Sequence, residues 1–274
     1  AVFAILTQHG KEQVIGPAVE QDLGGRLEVV TGFDTDTLGT FTRDVPRAGT
    51  QLEAARRKAQ IAIDRSGRLF GLGSEGAFVP RAFGLGSWNI EMVVLVDAEQ
   101  GIEVCGRAMA EGLHVYRSVS TRAQLEKVAM YARFPEHGLV VRPEEANDPR
   151  IWKGLRDWTA LEAAFDSALR QSAKGEVFVE SDLRAHMHPS RMAVIGLAAR
   201  DLAERLRTPC PACGVVGFGL RGKMPGLPCA ACGAPTQEPL ADEHGCVACE
   251  HREERPLQAG TDVADPSLCQ YCNP

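Results

Sequence analysis

The sequence predicts an α/β domain over residues 1–207, followed by a small cysteine-rich domain over residues 208–274. Two patterns lead to this prediction. Over roughly the first 205 residues, apolar segments typical of strands alternate with segments whose apolar residues recur at helical spacing. After Thr208 that periodicity stops, Gly, Pro and Cys dominate, and four Cys-x-x-Cys pairs follow one another.

The individual elements of the first domain follow from local signals. Strongly apolar segments predict strands at 2–7, 27–31, 69–73, 90–96, 102–108, 138–141 and 176–180. Helical spacing predicts helices at 11–23, 48–63, 124–133, 159–171 and 190–206. Three of these helices have capping-box pairs at their start: Thr50 with Glu53, Thr121 with Gln124, and Thr159 with Glu162. The segment 32–46 is rich in Asp, Thr and Gly, which predicts an irregular loop.

The overall composition is that of a globular protein. Hydrophobic residues make up 44% of the chain and charged residues 24%, which is enough apolar material for a core. The longest apolar runs, such as 92–96, are far too short to span a bilayer. The first residues lack a basic segment and a cleavage site, so we expect a strand there and no signal peptide. We therefore expect a cytoplasmic protein without a membrane partner.

Eight of the nine cysteines form four Cys-x-x-Cys pairs in the last quarter of the chain. In a reducing compartment such pairs bind metal or act as redox dithiols, and four successive pairs favour zinc. A ligand set made only of thiolates is typical of structural zinc, so we expect about two zinc ions per chain. The expected ligands are Cys210, Cys213, Cys229, Cys232, Cys246, Cys249, Cys269 and Cys272.

The spacing of the four pairs leaves their partnership open. The simplest arrangement joins them in chain order into two sequential sites, while a crossed arrangement places the first and third pairs on one metal. Redox motifs of the thioredoxin type occur singly at a strand–helix junction and are disfavoured, and an iron–sulfur centre is a lesser alternative. Cys105 stands alone within a predicted strand, where we interpret it as a small buried apolar residue.

The cysteine-rich tail is acidic. From Thr208 onward it has four basic and eight acidic residues, and the whole chain has a formal net charge of −6. Each zinc held by four thiolates adds further negative charge. Because nucleic-acid binding usually requires a basic surface, a DNA or RNA partner is disfavoured.

Charged residues of the first domain stand where packing alone does not require them. The segment 7–12 follows the first strand and opens a helix, a position where backbone amides and Lys11 can hold phosphate. An ordinary solvated turn explains that segment equally well. Further along, Glu53 shares a helix face with Arg56, as in a metal–triphosphate site, although helix capping also explains Glu53.

Glu75 has the strongest functional signal of these charged residues. It stands between two glycines at the end of an apolar strand, where we expect a turn. Asp or Asn is the commoner choice for a structural turn, and glycines let a ligand approach the backbone. We therefore favour a functional role for Glu75.

Taken together, these segments resemble the inosine/xanthosine triphosphate pyrophosphatase family. The resemblance extends in order over about 200 residues of the α/β domain. It rests first on three short motifs: Thr7, His9 and Lys11 of a phosphate-binding loop; Thr50, Glu53, Ala55, Lys58 and Ala59 of a metal-binding helix start; and Gly73, Glu75 and Gly76 of an acidic turn. It also rests on the pair of strands at 88–107, and on the segments 134–138 and 188–191, which lie where that family places its base-recognition loop and final helix entry. With its cysteine-rich tail, the chain also resembles a family of uncharacterised bacterial proteins.

The resemblance implies a mixed sheet and Mg²⁺-dependent cleavage between the α- and β-phosphates of a nucleoside triphosphate, with non-canonical purine nucleotides as a candidate class. It implies that Glu53 and Glu75 hold Mg²⁺ and that one of these carboxylates orients the attacking water. The cations that offset phosphate charge are then Lys11 with Lys58 or Arg56. Thr7 and His9 contribute to phosphate binding, and His188 and Arg191 lie near the base.

One rival interpretation accompanies this one. The first loop has His9 where the resembled family usually has Asn and is one residue shorter, which favours a decayed site. The chain is then a catalytically inactive nucleotide-binding or protein-interaction protein that docks through its zinc ribbons. If the site is active, we expect the zinc module to steady a lid or a homodimer contact.

Overall fold

The computed structural model describes residues 1–38, 49–81, 86–257 and 262–274. These residues form two compact units, Ala1–Ala203 and Glu204–Pro274. Of the predicted loop at 32–46, residues 32–38 are described and include a short 3₁₀ helix at Thr35–Leu38, whereas residues 39–46 lie outside the described residues. Among the described residues, no helix is both long enough and apolar enough to cross a membrane.

A five-stranded mixed sheet forms the first part of the α/β unit. Its strands are β1 (Val2–Leu6), β2 (Arg26–Val30), β3 (Phe70–Pro80), β4 (Ser87–Asp97) and β5 (Ile102–Gly112), in the order β2-β1-β3-β4-β5. β1 is parallel to β2 and β3, whereas β3, β4 and β5 run antiparallel to one another. The mixed sheet expected from the resemblance is therefore present.

Two helices connect the parallel strands of this sheet. The first, α1 (Glu12–Pro17), continues as a π-helical turn at Ala18–Asp22, so the predicted single helix changes its pitch half-way. The second, α2 (Gln51–Ser66), begins at the predicted capping box. The Thr50 side chain accepts a hydrogen bond from the backbone of Glu53, and the Glu53 side chain accepts one from the backbone of Thr50.

A second, four-stranded antiparallel sheet completes the unit. Its strands are β6 (Tyr116–Val119), β7 (Leu139–Pro143), β8 (Trp152–Leu155) and β9 (Val177–Ser181), in the order β6-β9-β7-β8. One face packs against α3 (Arg122–Tyr131) and α4 (Trp158–Gln171), and the chain then enters α5 (Pro189–Leu206). The sequence did not predict β6 and β8, because strands of four residues are too short to show an apolar period.

Two further expectations about this unit were wrong in detail. α4 is capped by Asp157, whose side chain accepts from the backbone of Ala160, and not by Thr159. Cys105 lies in β5 as predicted but is only half-buried.

The second unit is built on a three-stranded antiparallel meander. Its strands are β10 (Gly219–Pro225), β11 (Pro239–Gly245) and β12 (Arg252–Pro256), in that spatial order. The Cys-x-x-Cys pairs occupy the segments before, between and after these strands. The sheet therefore sets which pairs can meet.

Candidate functional site

The eight tail cysteines form two clusters, each containing four sulfur atoms within 4.8 Å of one another. Cys210, Cys213, Cys246 and Cys249 make up the first, and Cys229, Cys232, Cys269 and Cys272 make up the second. The first pair therefore meets the third, and the second meets the fourth. The crossed arrangement is confirmed, and the simpler sequential arrangement is wrong.

Sulfur–sulfur distances within the clusters match tetrahedral coordination. The Sγ atoms of Cys210 and Cys249 are 3.8 Å apart, and those of Cys213 and Cys246 are 3.6 Å apart. In the second cluster the corresponding distances are 3.9 Å and 3.7 Å. A tetrahedral zinc with Zn–S bonds of about 2.3 Å requires sulfurs about 3.8 Å apart, whereas a disulfide requires about 2.05 Å. The two clusters could bind two zinc ions.

The local backbone around the cysteines is shaped for thiolate ligands. Gly214 and Gly233, which follow the first two pairs, adopt φ values of 74° and 71°, the positive φ that a tight turn requires there. The backbone N–H of Ala231 donates to the sulfur of Cys229. Hydrogen bonds from the N–H groups of Cys232 and Ala231 lower the pKa of Cys229 to about 7, which favours the thiolate that metal binding needs.

A second candidate site lies in the α/β unit, where β1 ends and β3 continues. Lys11, from the junction of β1 and α1, is only 7% exposed. Its Nζ atom donates to the Oγ of Ser74 at 3.0 Å and to the carbonyl oxygen of Ser74 at 3.3 Å. Both acceptors are neutral, so neither bond pairs the lysine with a negative charge. We call the residues around this lysine the lysine cluster: Lys11, Lys58, Ser74, Glu75, Glu91 and Arg191.

Lys58 and Glu75 bring a buried ion pair into the lysine cluster. The Nζ of Lys58, on α2, lies 2.6 Å from a carboxylate oxygen of Glu75, on β3, and both residues are less than 10% exposed. Glu75 alternates along β3 with Ser74, so the two side chains leave the strand on opposite faces. Glu75 was expected on a turn, which is wrong, because it lies in the middle of an eleven-residue strand.

Arg191 and Glu91 form a second buried pair beside the first. The Arg191 guanidinium, at the start of α5, donates to Glu91 of β4 at 2.5 Å and 3.3 Å, and both side chains are essentially inaccessible. Gly76 lies next to this pair, since a side chain at that position would clash with both Arg191 and Glu91. The sequence contained a signal for Glu91, an acidic residue in an otherwise apolar strand, which the prediction did not use.

Burial and neighbouring cations shift the pKa values of groups in and next to the lysine cluster. Burial, reinforced by the charges of Lys58 and Arg191, lowers the pKa of Lys11 to about 7, although Glu75 and Glu91 oppose this shift.

Burial and neighbouring positive charges also act on His9, whose ring centroid lies 4.8 Å from that of His186. Burial, followed by the charges of His186 and Lys11, lowers the pKa of His9 to about 3. His9 is therefore neutral, and a bound anion would stabilise charged Lys11.

Other predicted site residues are engaged elsewhere. The Glu53 carboxylate is exposed and accepts from the backbone N–H of Thr50 at 2.7 Å. Arg56 is exposed and pairs with Glu103. Thr7 accepts from the backbone of His9 at 3.4 Å. Helix capping, the structural alternative for Glu53, is thus present.

His188 is buried and does not face solvent. Its Nε2 atom lies 2.8 Å from the carbonyl oxygen of Leu113, and its Nδ1 atom accepts from the backbone N–H of Arg191. Burial lowers the pKa of His188 to about 4, so the ring is neutral. It orients the start of α5, from which Arg191 reaches Glu91.

Comparison with known protein families now places the chain. Residues 58–274, well over half of the chain, match a family model described as a domain of unknown function (DUF6671). The chain belongs to this family. No curated protein matches it, and no solved structure matches it.

The DUF6671 match includes both cysteine clusters and most of the lysine cluster. Lys58, Ser74, Glu75, Glu91 and Arg191 all lie within the matched residues. His188 also lies within the match, whereas five predicted site residues precede it: Thr7, His9, Lys11, Glu53 and Arg56. The family description assigns no activity to either site.

Proposed function

We propose that the α/β unit is a nucleoside triphosphate pyrophosphohydrolase that acts on a Mg²⁺–nucleotide complex at the lysine cluster. One observation carries this proposal: the buried Lys11, near the end of β1, lies close enough to the buried Lys58–Glu75 pair for both of their charges to act on it. Open α/β sheets commonly bind ligands at the carboxyl ends of their parallel strands. The order of motifs along the sequence, which resembles that of the inosine/xanthosine triphosphate pyrophosphatases, also supports it.

Lys11 is the residue best suited to the phosphates. Its Nζ is held by two neutral acceptors of Ser74, so its charge is available to a phosphate oxygen. Lys58 would act with it once the nucleotide competes for its pairing with Glu75. Together these cations would offset the charge that gathers on phosphate oxygens during cleavage.

The carboxylate chemistry in this proposal belongs to Glu75. Mg²⁺ is usually held by one or two carboxylates together with water and substrate phosphates, so a site with few protein ligands fits it when the nucleotide is bound. Glu75 would hold the ion, with Glu53 as the second hypothesised ligand. Bound Mg²⁺ would polarise phosphate oxygens. The Glu75 carboxylate would orient the attacking water, and Arg191 would hold Glu91 away from the phosphates.

A second candidate function rests on the same contacts. Glu53 is used for helix capping and Glu75 is paired with Lys58. If both contacts persist when a nucleotide is bound, the α/β unit binds the nucleotide without cleaving it, and the cysteine-rich unit acts as a docking module. Nucleotide binding is common to both candidates, and turnover distinguishes them.

The deciding experiment measures pyrophosphate release from standard and deaminated nucleoside triphosphates, with and without Mg²⁺. Glu75→Gln keeps the shape of the side chain and removes its charge. We expect Mg²⁺-dependent turnover in the wild type and a loss of at least about 100-fold in Glu75→Gln, which is typical for a positioned acid–base group. Glu162→Gln, which alters an exposed carboxylate paired with Arg122, is the matched control and should retain full activity.

The remaining outcomes separate the two candidates. Nucleotide binding without pyrophosphate release, by folded and zinc-loaded protein, would move the assignment to the inactive binding module. Absence of triphosphate binding would remove both.

A further inference from the structure

A cleft of about 580 Å³ opens in the α/β unit. Its wall includes four aromatic or imidazole rings and two charged residues: Phe78, His114, Tyr116, Phe178, Arg117 and Glu180. Strands of both sheets contribute, with Phe78 on β3, Tyr116 on β6 and Phe178 on β9. We refer to this space as the aromatic cleft.

The rings of the aromatic cleft form a continuous series. The ring centroids of Phe78 and His114 are 5.6 Å apart, those of His114 and Tyr116 are 5.2 Å apart, and those of Tyr116 and Phe178 are 6.5 Å apart. Tyr116 remains 51% exposed. Ring faces that line an open cleft are suited to a planar ligand, because a stacked heterocycle covers them without needing a particular hydrogen bond.

Glu180 gives the cleft a polar selectivity. Its neighbours Val177 and Val179 on β9 point into the core with α3 and α4, so Phe178 and Glu180 occupy the opposite face of that sheet. Glu180 is only 3% exposed, and its carboxylate lies 3.8 Å from Nε of the buried Arg142. A carboxylate accepts hydrogen bonds and donates none. A ligand edge placed against it must therefore supply N–H groups.

Strand β3 links the aromatic cleft to the lysine cluster. Ser74, Gly76 and Phe78 leave the same face of β3, and they meet Lys11, Arg191 and the cleft respectively. Ser74 and Phe78 are four positions apart on the strand, a distance of about 13 Å. His188 contacts residues on both sides of this span. Its ring centroid lies 5.8 Å from that of Phe78, and its Nδ1 atom accepts a hydrogen bond from the backbone N–H of Arg191. This span is within the length of a nucleoside triphosphate whose phosphates lie at Lys11 and whose base lies in the cleft.

We propose that the aromatic cleft holds the base of the nucleotide and that Glu180 selects bases with two adjacent N–H donors, the edge that guanine presents. This inference rests on the proposed function, because it assumes that phosphates occupy the lysine cluster. Inosine offers one of the two donors. Xanthosine turns a carbonyl oxygen toward the carboxylate, and adenosine offers an acceptor nitrogen at the corresponding position. The expected order of affinity begins with guanosine.

The test measures binding by calorimetry in the presence of Mg²⁺, using the full chain. The probes are the α,β-methylene triphosphates of guanosine, inosine, xanthosine and adenosine, which resist cleavage between the α- and β-phosphates, together with inorganic tripolyphosphate. We expect the guanosine compound to bind at least about tenfold more tightly than the inosine compound, the effect of one charge-assisted hydrogen bond. Tripolyphosphate reports on the lysine cluster alone.

Two variants distinguish the contribution of the aromatic rings to binding from that of the Glu180 carboxylate. Tyr116→Ala should weaken binding of all four nucleotides by about tenfold, as removal of one stacking ring does, and should leave tripolyphosphate binding unchanged. Glu180→Gln should abolish the preference for guanosine. Glu176→Gln, an exposed carboxylate at the start of the same strand region, is the matched control and should keep that preference.

Each outcome has a defined meaning. Equal affinity for the four nucleotides in the wild type, with tripolyphosphate bound, would overturn the inference and leave the proposed function standing. A preference that survives Glu180→Gln in folded protein would also overturn it. If that variant does not fold, the wild-type order and Tyr116→Ala still decide. Absence of tripolyphosphate binding would remove the proposed function and the inference together.

Discussion

At the scale of single residues, the unusual feature of the chain is a lysine buried beside other cations. Lys11 is 7% exposed, and it lies close enough to Lys58 and Arg191 for their charges to lower its pKa. Burying a charge is costly unless partners compensate for it. Ser74 supplies only neutral acceptors. Such an arrangement is common at functional sites, where stability is given up for ligand binding.

The Lys11→Met variant tests this cost through its pH dependence. The pKa of Lys11 is about 7 in the folded protein and about 10.5 in an unfolded chain. Between these values the unfolded state binds more protons, so the free energy of unfolding rises with pH, by at most about 1.4 kcal/mol per pH unit. We expect the stability gain of Lys11→Met over wild type to be largest near pH 6 and to shrink as the pH rises above 7.

Urea unfolding of zinc-loaded protein between pH 6 and 9.5 measures this effect. Lys174→Met, which removes an exposed lysine paired with Glu144, is the control and should show the same pH profile as the wild type. Parallel profiles for Lys11→Met and wild type would contradict a lowered pKa of Lys11.

At the scale of elements, β3 shows how glycines can indicate a turn where the structure has a continuous strand. Glycines around Glu75 indicated a turn, yet Gly71, Gly73 and Gly76 all lie within the strand. They permit close packing: a side chain at Gly71 or Gly73 would clash with carbonyl oxygens of α2. A glycine inside a strand marks such an approach as readily as it marks a turn. Only the position of α2 distinguishes the two.

Substitution of Gly73 tests this packing. Gly73→Ala would place a methyl group against the carbonyl oxygen of Ala55, so we expect the free energy of unfolding to fall by about 1–3 kcal/mol or more. Gly16→Ala is the control, because the nearest atom to its added methyl, Cδ2 of Leu27, is at an ordinary 3.7 Å. Denaturant unfolding compares the two, and equal stabilities would argue against close packing of α2 on β3.

At the scale of the whole molecule, the cysteine-rich unit is organised by its meander. Antiparallel strands return the chain to the same end after every second connection. The segments before β10 and between β11 and β12 therefore lie at one end of the sheet, and those between β10 and β11 and after β12 lie at the other. This alternation produces the crossed pairing. A sheet with a metal cluster at each end is held by ligands from distant parts of the sequence.

Zinc content in double variants tests the crossed pairing directly. Cys213→Ser with Cys249→Ser removes two ligands of one cluster, so we expect loss of one zinc and retention of the other. Cys213→Ser with Cys232→Ser removes one ligand from each cluster, so we expect loss or marked weakening of both. Sequential pairing would reverse these two results. Metal analysis after mild chelation, compared with wild type holding about two zinc ions, reads the outcome.

The sequence by itself determined much of this protein, because several of its signals are local. Capping boxes at Thr50 and Thr121, turn glycines after two cysteine pairs, and alternating strand and helix periods depend on residues a few positions apart. The identity of all eight thiolate ligands is local in the same way, since each Cys-x-x-Cys pair forms its own turn. The family resemblance in the sequence also indicated Lys11, Lys58 and Glu75 as candidate site residues.

The tertiary structure alone decided how these local pieces meet. Arg191 and Glu91 are 100 residues apart in sequence, so no local pattern indicates that these two residues pair with each other. The rings of the aromatic cleft come from strands of both sheets, and one of these strands, β6, is too short to be predicted from its sequence. The partnership of the cysteine pairs follows from strand direction in the meander, which spacing does not encode. Contacts between distant segments depend on the path of the chain in space, and local residue patterns do not specify that path.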